Sequence, residues 1–255
     1  MINLLKAETF KLKRNKSFWM IAGLMAGTSI LFHILIMTEW WMMSGTKFDA
    51  VGLGKLNGLA PFTVPVFFNL AVCSLAAFFI SAEFSESGVI RLQVMSGYKR
   101  SHVYFAKYLV FSFGTIIITV VIPLLTAALI AVALGHGDIL QAQHFQYIVG
   151  TYGLFTLQLL GYTAIVMMLA ILTEESGKTI IFSILFTVLV FVIEQFAYHP
   201  SVGWLYEHTI FHQFSFVFTP ELSGAEWMRS TAVGVITILL VLAIGMAVFN
   251  RKEIK

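Results

Sequence analysis

The chain has 255 residues, of which 58% are hydrophobic and only 11% are charged. Charged residues make up about a quarter of an ordinary soluble domain. This composition therefore excludes a soluble domain and indicates a helical protein that crosses a membrane several times. The net charge of +3 is small, and a nucleic-acid partner is not expected. The chain has a single cysteine, Cys73, which excludes a disulfide within the chain.

The segment 1–16 interleaves basic and apolar side chains. Its five basic residues are Lys6, Lys11, Lys13, Arg14 and Lys16. This pattern is typical of an amphipathic helix that lies in the headgroup region of the cytoplasmic leaflet, with its lysines near anionic lipid. A basic tail that only sets the topology is the alternative.

Six apolar segments are long enough to cross about 30 Å of hydrocarbon as helices. They are predicted at 17–37, 59–82, 108–134, 148–172, 179–196 and 231–249. Their apolar character is continuous rather than alternating, which argues against a β-barrel. Pro123 stands near the middle of the third segment and predicts a kink there. The expected fold is an all-α polytopic membrane protein, with one membrane domain that occupies residues 1–255.

The positions of the basic residues predict the orientation of the spans. Thirteen of the sixteen Lys and Arg residues lie on one side, and only Lys47, Lys55 and Arg229 lie on the other. Because basic residues concentrate in cytoplasmic segments, both termini are predicted to be cytoplasmic. All five tryptophans fall at span ends or in outer segments, as an interfacial belt requires.

The segment 83–107 is the longest charged interruption on the predicted cytoplasmic side. It alternates charged residues with apolar ones, a pattern that a simple connection between two spans does not need. We interpret this segment as the surface through which an outside partner acts on the membrane domain.

Few polar residues lie within the predicted spans. Asn69 and Gln158 are near the middle of spans two and four, and Glu194 is in the outer third of span five. Polar groups at such depth are costly and often mark a pathway, so these three residues are candidates for a substrate path. The alternatives are interhelical hydrogen bonds for the two amides, and a carboxylate that reaches interfacial water for Glu194.

The outer segment 197–228 is rich in aromatic residues and contains no Lys or Arg. A segment this long and apolar predicts short helices at the outer leaflet rather than a solvated loop. His208 and His212 are four residues apart, with Glu207 and His199 nearby, so a continuous helix would place both on one face, where they could bind a metal. Scattered outer histidines more often serve as interfacial residues, so no metal site is predicted and the metal is the alternative.

A nucleotide site is not expected in this chain. Gly177-Lys178-Thr179 ends like a phosphate-binding loop, but position 172 is Leu where that motif requires Gly. A predicted membrane helix also precedes the motif where a strand would be needed.

Over essentially its whole length the chain resembles the permeases of type-2 ABC transporters, the exporter class. The resemblance rests on the basic amphipathic start, the six spans and above all the first inner segment. There the family has an acidic pair, a Gly, a Leu, a basic residue and a Gly-Lys that leads into span three. The corresponding residues here are Glu83 and Glu86, Gly88, Leu92, Arg100 and Ala106-Lys107. Val89, Ser96-Gly97 and Ala106 depart from the family pattern.

The resemblance implies a permease that is not itself an enzyme and holds no cofactor. ATP and Mg would be bound by a separate cytoplasmic ATP-binding subunit, present in two copies. Two permease chains would pair in the cell membrane, as a homodimer or as a heterodimer with a paralogue. The segment 83–100 would enter a cleft of the ATPase, and the turn 173–178 would be a second contact. The predicted coupling residues are Glu83, Glu86, Gly88, Ile90, Arg91, Met95, Arg100, Lys107, Glu174 and Glu175.

The resemblance also suggests a class of substrate. Small six-span members with aromatic outer loops are similar to exporters of, or resistance proteins against, peptide antibiotics such as bacitracin and lantibiotics, which predicts a hydrophobic or amphipathic substrate. Lipid, drug and sodium export are alternatives within the family. A standalone membrane protein (a sensor, an assembly factor or an intramembrane enzyme) and an ion-coupled carrier centred on Glu194 are alternatives outside it.

Overall fold

The computed structural model describes residues 1–85 and 88–252, and these residues form helices and connections without a strand. The predicted coupling residue Glu86 lies outside the described residues. The helices are α1 (Ile2–Arg14), α2 (Lys16–Met37), α3 (Ala60–Thr63), α4 (Pro65–Phe84), α5 (Val89–Met95), α6 (Arg100–Ala133), α7 (Ala142–Thr173), α8 (Ser176–Gln195), α9 (Pro200–Glu207), α10 (Ile210–Phe216) and α11 (Gly224–Arg251). Short 3₁₀ helices cover Asp49–Val51, Gly54–Leu59 and Gly137–Leu140.

Six of these helices, α2, α4, α6, α7, α8 and α11, are long and apolar enough to cross a membrane. The predicted all-α fold with six spans is therefore confirmed. All six helices start at other residues than the predicted spans, and the sixth, for example, starts at Gly224 instead of at position 231. The second starts at Pro65 because Val64, which precedes a proline, is extended. The third and fourth start earlier than predicted, at Arg100 and Ala142, because a helix continues through polar residues beyond the apolar stretch.

The third span stays one helix through Pro123. A π turn at Ile117–Val121 directly precedes the α-helical segment Ile122–Ala133, and Pro123 lies in the first turn of that segment. A proline lacks an N–H group and its ring clashes with the carbonyl one turn earlier, so a wider turn at this point relieves the conflict. A second π turn, Ala77–Ser81, interrupts α4.

Helix α7 forms the centre of the fold. In its most apolar stretch 67% of the residues are buried inside the chain, compared with 17% for α8. Helix α11 packs along α7 at close range, since a Cβ at Gly234 would lie 2.8 Å from the side chain of Leu157. Helices α4, α6 and α10 also contact α7, and α8 packs mainly against α4.

Helix α1 packs against the third span. Its buried residues Leu4, Glu8 and Leu12 follow one another at intervals of one turn, while Lys6 and Lys13 on the opposite side are exposed. The close contact is possible because α6 has Gly114 there: a Cβ at that position would lie 3.1 Å from Leu12. Thus the predicted amphipathic helix is present, and its buried face lies against α6.

Candidate functional site

Four charged residues from three helices meet at the end of the molecule that carries α1 and the end of α11. Glu8 and Lys11 come from α1, Glu83 from the end of α4, and Lys107 from α6; we call them the ion cluster. The Lys11 ammonium is 2.5 Å from a Glu8 oxygen and 2.6 Å from a Glu83 oxygen. Lys107 pairs with both carboxylates, at 3.3 Å from Glu8 and in closer contact with Glu83. The cluster therefore ties α1, α4 and α6 together.

The ion cluster is largely shielded from solvent, and the Lys107 side chain is only 2% exposed. Burial by itself would raise the pKa of Glu8, but Lys107 and Lys11 outweigh burial and hold that pKa below its ordinary value. Burial would likewise lower the pKa of Lys11, yet Glu83 and Glu8 hold it above its ordinary value. Two carboxylates and two ammonium groups balance each other, which is the condition under which charges are tolerated away from water.

A fifth residue, Gln93, joins the short helix α5 to the ion cluster. Its amide donates a hydrogen bond of 2.7 Å to Glu8. On the same helix Ile90 is only 1% exposed and packs into the interior. Gly88, just before α5, has a φ of +56°, a conformation that residues with a side chain rarely adopt, so the turn into α5 favours glycine here.

The opposite face of α5 is open. Arg91 is exposed, and Leu92 and Met95 are 61% and 72% exposed. We call these three residues the α5 patch. Two large apolar side chains next to a cation on a surface outside the spans are typical of a protein contact. The prediction that Arg91 and Met95 are available for a partner is consistent with this geometry.

The structure places three of the predicted coupling residues in contacts within the chain. Lys107 and Ile90 are buried, so they cannot touch a partner in this conformation. Arg100 donates hydrogen bonds to the backbone carbonyls of Asn250 and Lys252, at 2.8 and 2.7 Å, and so holds the end of α11. The helices explain these positions, because Lys107 and Arg100 belong to α6, which starts at Arg100, and Ile90 is on the inward face of α5. Glu83 belongs to the ion cluster.

The turn between α7 and α8 contains the predicted second contact. Glu174 has a left-handed backbone conformation and pairs with Lys252 at 3.1 Å. Lys252 also donates to the backbone carbonyls of Ile171 and Leu172. Glu175 is exposed and pairs at 2.6 Å with Lys178. Glu174 thus anchors the end of α11, while Glu175 stays on the surface.

The two amides predicted for a substrate path join helices instead. The Asn69 side chain accepts a hydrogen bond of 2.9 Å from the Ser183 hydroxyl and donates to the Ser183 carbonyl, which links α4 to α8. Gln158 donates to the Ser230 carbonyl at 2.9 Å, which links α7 to α11. Of the two alternatives for these residues, the structure shows interhelical hydrogen bonds.

Glu194 lies in a different setting. It lines a cavity of about 410 Å³ at the predicted outer end, which we call the outer cavity. The cavity is lined by residues 45–48, by helix α3 and the start of α4, by α8, α9 and α10, and by Phe218. Its polar and charged lining residues are Thr46, Lys47, Thr63, Thr187, Glu194, Tyr206 and Ser215. Only Glu194 among the three predicted path residues therefore borders an open space.

His208 and His212 do not lie on one continuous helix, because His208 follows the end of α9 and His212 belongs to α10. Helix α9 ends at Glu207 and α10 begins at Ile210, so His208 and His212 do not share a helix face. The His208 ring is hydrogen-bonded to the Trp204 carbonyl, and the His212 ring stacks on Phe216. Within residues 1–85 and 88–252 no group of three or more His, Cys, Asp or Glu side chains is arranged to hold a metal ion.

The described residues thus combine six helices that are long and apolar enough to cross a membrane, a basic amphipathic helix packed against the third of them and a short helix beside it. A family model described as ABC-2 family transporter protein matches residues 4–194, which is most of the chain. The chain belongs to this family: it is a permease subunit of an ABC transporter, a multi-pass protein of the cell membrane that associates with a cytoplasmic ATPase subunit. A comparison with curated proteins found no match.

Proposed function

We propose that this chain couples ATP hydrolysis by a separate cytoplasmic ATPase to the export of a hydrophobic or amphipathic substrate. The observation that carries the proposal is the α5 patch: a short helix outside the spans exposes Arg91, Leu92 and Met95 on one side. Apolar side chains of this kind fill a groove on a partner, and a charge at the rim fixes the orientation. Glu175 is exposed in the connection between α7 and α8, on the same predicted side, and is a second contact.

The connections of α5 give it a means of moving the spans. A displacement of α5 is transmitted to Glu8 through the hydrogen bond of Gln93. The ion pairs of the cluster transmit it further to α4 and α6. Since removing one partner of a buried charge pair leaves the other charge uncompensated, the cluster favours movement of α1, α4 and α6 as one unit.

The complex that we propose has two permease chains, either two copies of this chain or this chain with a paralogue, and two ATPase subunits. ATP and Mg are bound in the ATPase subunits, so this chain has no nucleotide site and no cofactor of its own. An amphipathic peptide antibiotic is among the substrates, and both termini are cytoplasmic, as the bias of the basic residues supports.

The test is co-expression of the permease with its ATPase in the native host, followed by copurification and measurement of ATP hydrolysis. We expect the purified permease alone to lack ATPase activity. In the complex, Arg91→Glu combined with Met95→Asp should lower both the amount of copurified ATPase and the transport-linked hydrolysis.

The matched control is Lys16→Glu, which makes the same charge reversal on the same predicted side but outside α5. If the α5 double variant keeps wild-type copurification, hydrolysis and transport, α5 is not the contact. If transport persists without ATP and collapses with the proton or sodium gradient, the proposed function is wrong.

A further inference from the structure

The outer cavity has the size and lining of a ligand site. Its volume of about 410 Å³ falls within the range of roughly 300–1,000 Å³ that is typical of sites for small molecules. Three phenylalanines that are almost fully buried, Phe48, Phe214 and Phe218, contribute apolar lining. They belong to a larger set of aromatic rings in contact with one another: Phe214 meets Phe68 and Phe218 meets Phe48. Because these rings pack against each other, the apolar part of the cavity is held in shape without a ligand.

Two opposite charges line the same cavity. They are the carboxylate of Glu194 on α8 and the ammonium of Lys47 in the segment before Phe48. Neither forms an ion pair with another side chain in the described part of the chain. Other outer charges do find partners, as Lys55 pairs with Glu39 at 2.8 Å. The cavity therefore offers one anionic and one cationic group to a ligand.

Glu194 lies close to the end of α8. It is the residue before the last one of α8, and the neighbouring lining residue Phe191 has an exposed ring. The side of the cavity formed by α8 is thus continuous with a surface that faces hydrocarbon. A carboxylate at the edge of the hydrocarbon is costly unless a cation or water accompanies it. A ligand that arrives from the membrane with its own ammonium group would supply that cation.

We propose that the outer cavity binds a zwitterionic amphiphile. Its ammonium group lies near Glu194, its phosphate or carboxylate lies near Lys47, and its apolar body lies on the phenylalanine lining. The hydroxyl of Ser215 offers a hydrogen bond to the polar part, whereas the hydroxyls of Thr63 and Thr187 already donate to the carbonyls of Ala60 and Ser183. Such a ligand has two sources, a phospholipid of the outer leaflet and a transported amphiphile. That the ligand is cargo rests on the proposed function, whereas binding itself does not.

The first experiment measures equilibrium binding of radiolabelled lysophosphatidylethanolamine to the purified full-length permease in a maltoside detergent. Unlabelled lysophosphatidylglycerol, which has the phosphate but no ammonium group, is the competitor. Glu194→Gln and Lys47→Gln keep the size of each side chain, and we expect each to weaken binding by about fivefold, the upper range for a partly exposed ion pair. Val66→Trp, at an exposed lining position, should abolish binding by filling the cavity.

The matched controls are Glu221→Gln and Lys55→Gln, which remove outer charges that do not line the cavity; they should bind as the wild type does. The proposal is overturned if Glu194→Gln binds as tightly as Glu221→Gln, or if lysophosphatidylglycerol competes as well as unlabelled lysophosphatidylethanolamine. A variant that fails to fold is recognised by early thermal unfolding, and the two glutamine variants, which keep side-chain size, then carry the test.

A second arm distinguishes the two sources. The permease–ATPase complex is placed in phosphatidylglycerol liposomes, and ATP hydrolysis is measured with and without the zwitterionic amphiphile. Stimulation that is lost in Glu194→Gln identifies cargo, while binding without stimulation identifies a resident lipid; both outcomes support the site. If no ATPase associates with the permease but binding persists, the proposed function fails and the site stands.

Discussion

Gly245 shows how single residues set the distance between spans. A Cβ at this position in α11 would collide with the hydroxyl of Tyr104 in α6. That hydroxyl is buried and has no hydrogen-bond partner among the described residues. A buried hydroxyl without a partner costs free energy, so this contact favours close packing at the expense of a satisfied polar group.

Gly245→Ala should lower the free energy of unfolding by about 1–3 kcal/mol, because the added methyl group forces Tyr104 or α11 to move. Tyr104→Phe should be neutral or stabilising, and the double variant should regain much of the lost stability. The buried Cys73 is the only thiol in the chain, so its reaction with a thiol-specific dye on heating reports unfolding. Additive effects of the two substitutions would contradict the contact.

The ion cluster makes stability depend on pH. Because the pKa of Glu8 is lowered in the folded state, its contribution is fully present above the ordinary value of 4.5 and is lost as the pH falls through the folded pKa. We expect the unfolding temperature of the wild type to decrease as the pH is lowered below about 4.5. Glu8→Gln should be less stable at pH 7, because Lys107 loses a partner, and its unfolding temperature should depend less on pH over this range. Equal pH slopes for wild type and variant would exclude this role for Glu8.

At the scale of elements, α1, α5 and α6 meet at Glu8. Helix α5 has only two turns and too few residues to form a stable helix alone, so its position depends on Ile90 in the interior and on Gln93 at the ion cluster. The contact between Gln93 and Glu8 is therefore a sensitive point of the link between the α5 patch and the spans.

Gln93→Glu should release α5, because it adds a third carboxylate to the ion cluster, next to Glu8, and makes a balanced cluster net negative. We expect faster tryptic cleavage at Arg91 and Lys99 in the purified permease, with the spans still folded. Gln93→Met, which has a similar size and no charge, is the control and should change cleavage less. The same cleavage rate in both variants would mean that charge at the cluster does not hold α5.

At the scale of the whole molecule, α8 is the least covered span, with 17% of its apolar stretch buried. A span with so little cover within its own chain is suited to contact a second permease chain. With Cys73→Ser as background, a cysteine at the exposed position Leu185 or Leu189 should form a cross-linked dimer in native membranes. A cysteine at Leu129 on α6, which is more exposed than either position, is the control. Cross-linking from Leu129 but not from α8 would place the second chain elsewhere.

The number of spans and the family could be predicted because hydropathy and the order of short motifs are local properties of the chain. The contacts of individual residues could not. Lys107 follows the pattern of a charged loop, and only the packing of α1 against α6, at Leu12 and Gly114, explains why it is buried. Glu8 gave no signal, since one acidic residue in a basic segment is unremarkable until Lys107 is placed beside it. The break between His208 and Ile210 was likewise hidden, because the histidine spacing fits a continuous helix as well.

The two π turns, Ala77–Ser81 in α4 and Ile117–Val121 in α6, have a consequence for movement. Each π turn contains one residue more than an α-helical turn. If the π turn moves along the helix, the two halves of the helix rotate relative to each other by about 100° and shift by about 1.5 Å. Glu83 and Lys107 lie on the same side of these turns, with α1 and α5. Each of these two spans can therefore rotate at its π turn. We expect ATP hydrolysis in the ATPase subunit to rotate the halves that carry Glu83 and Lys107, while the other halves, one of which borders the outer cavity, rotate much less.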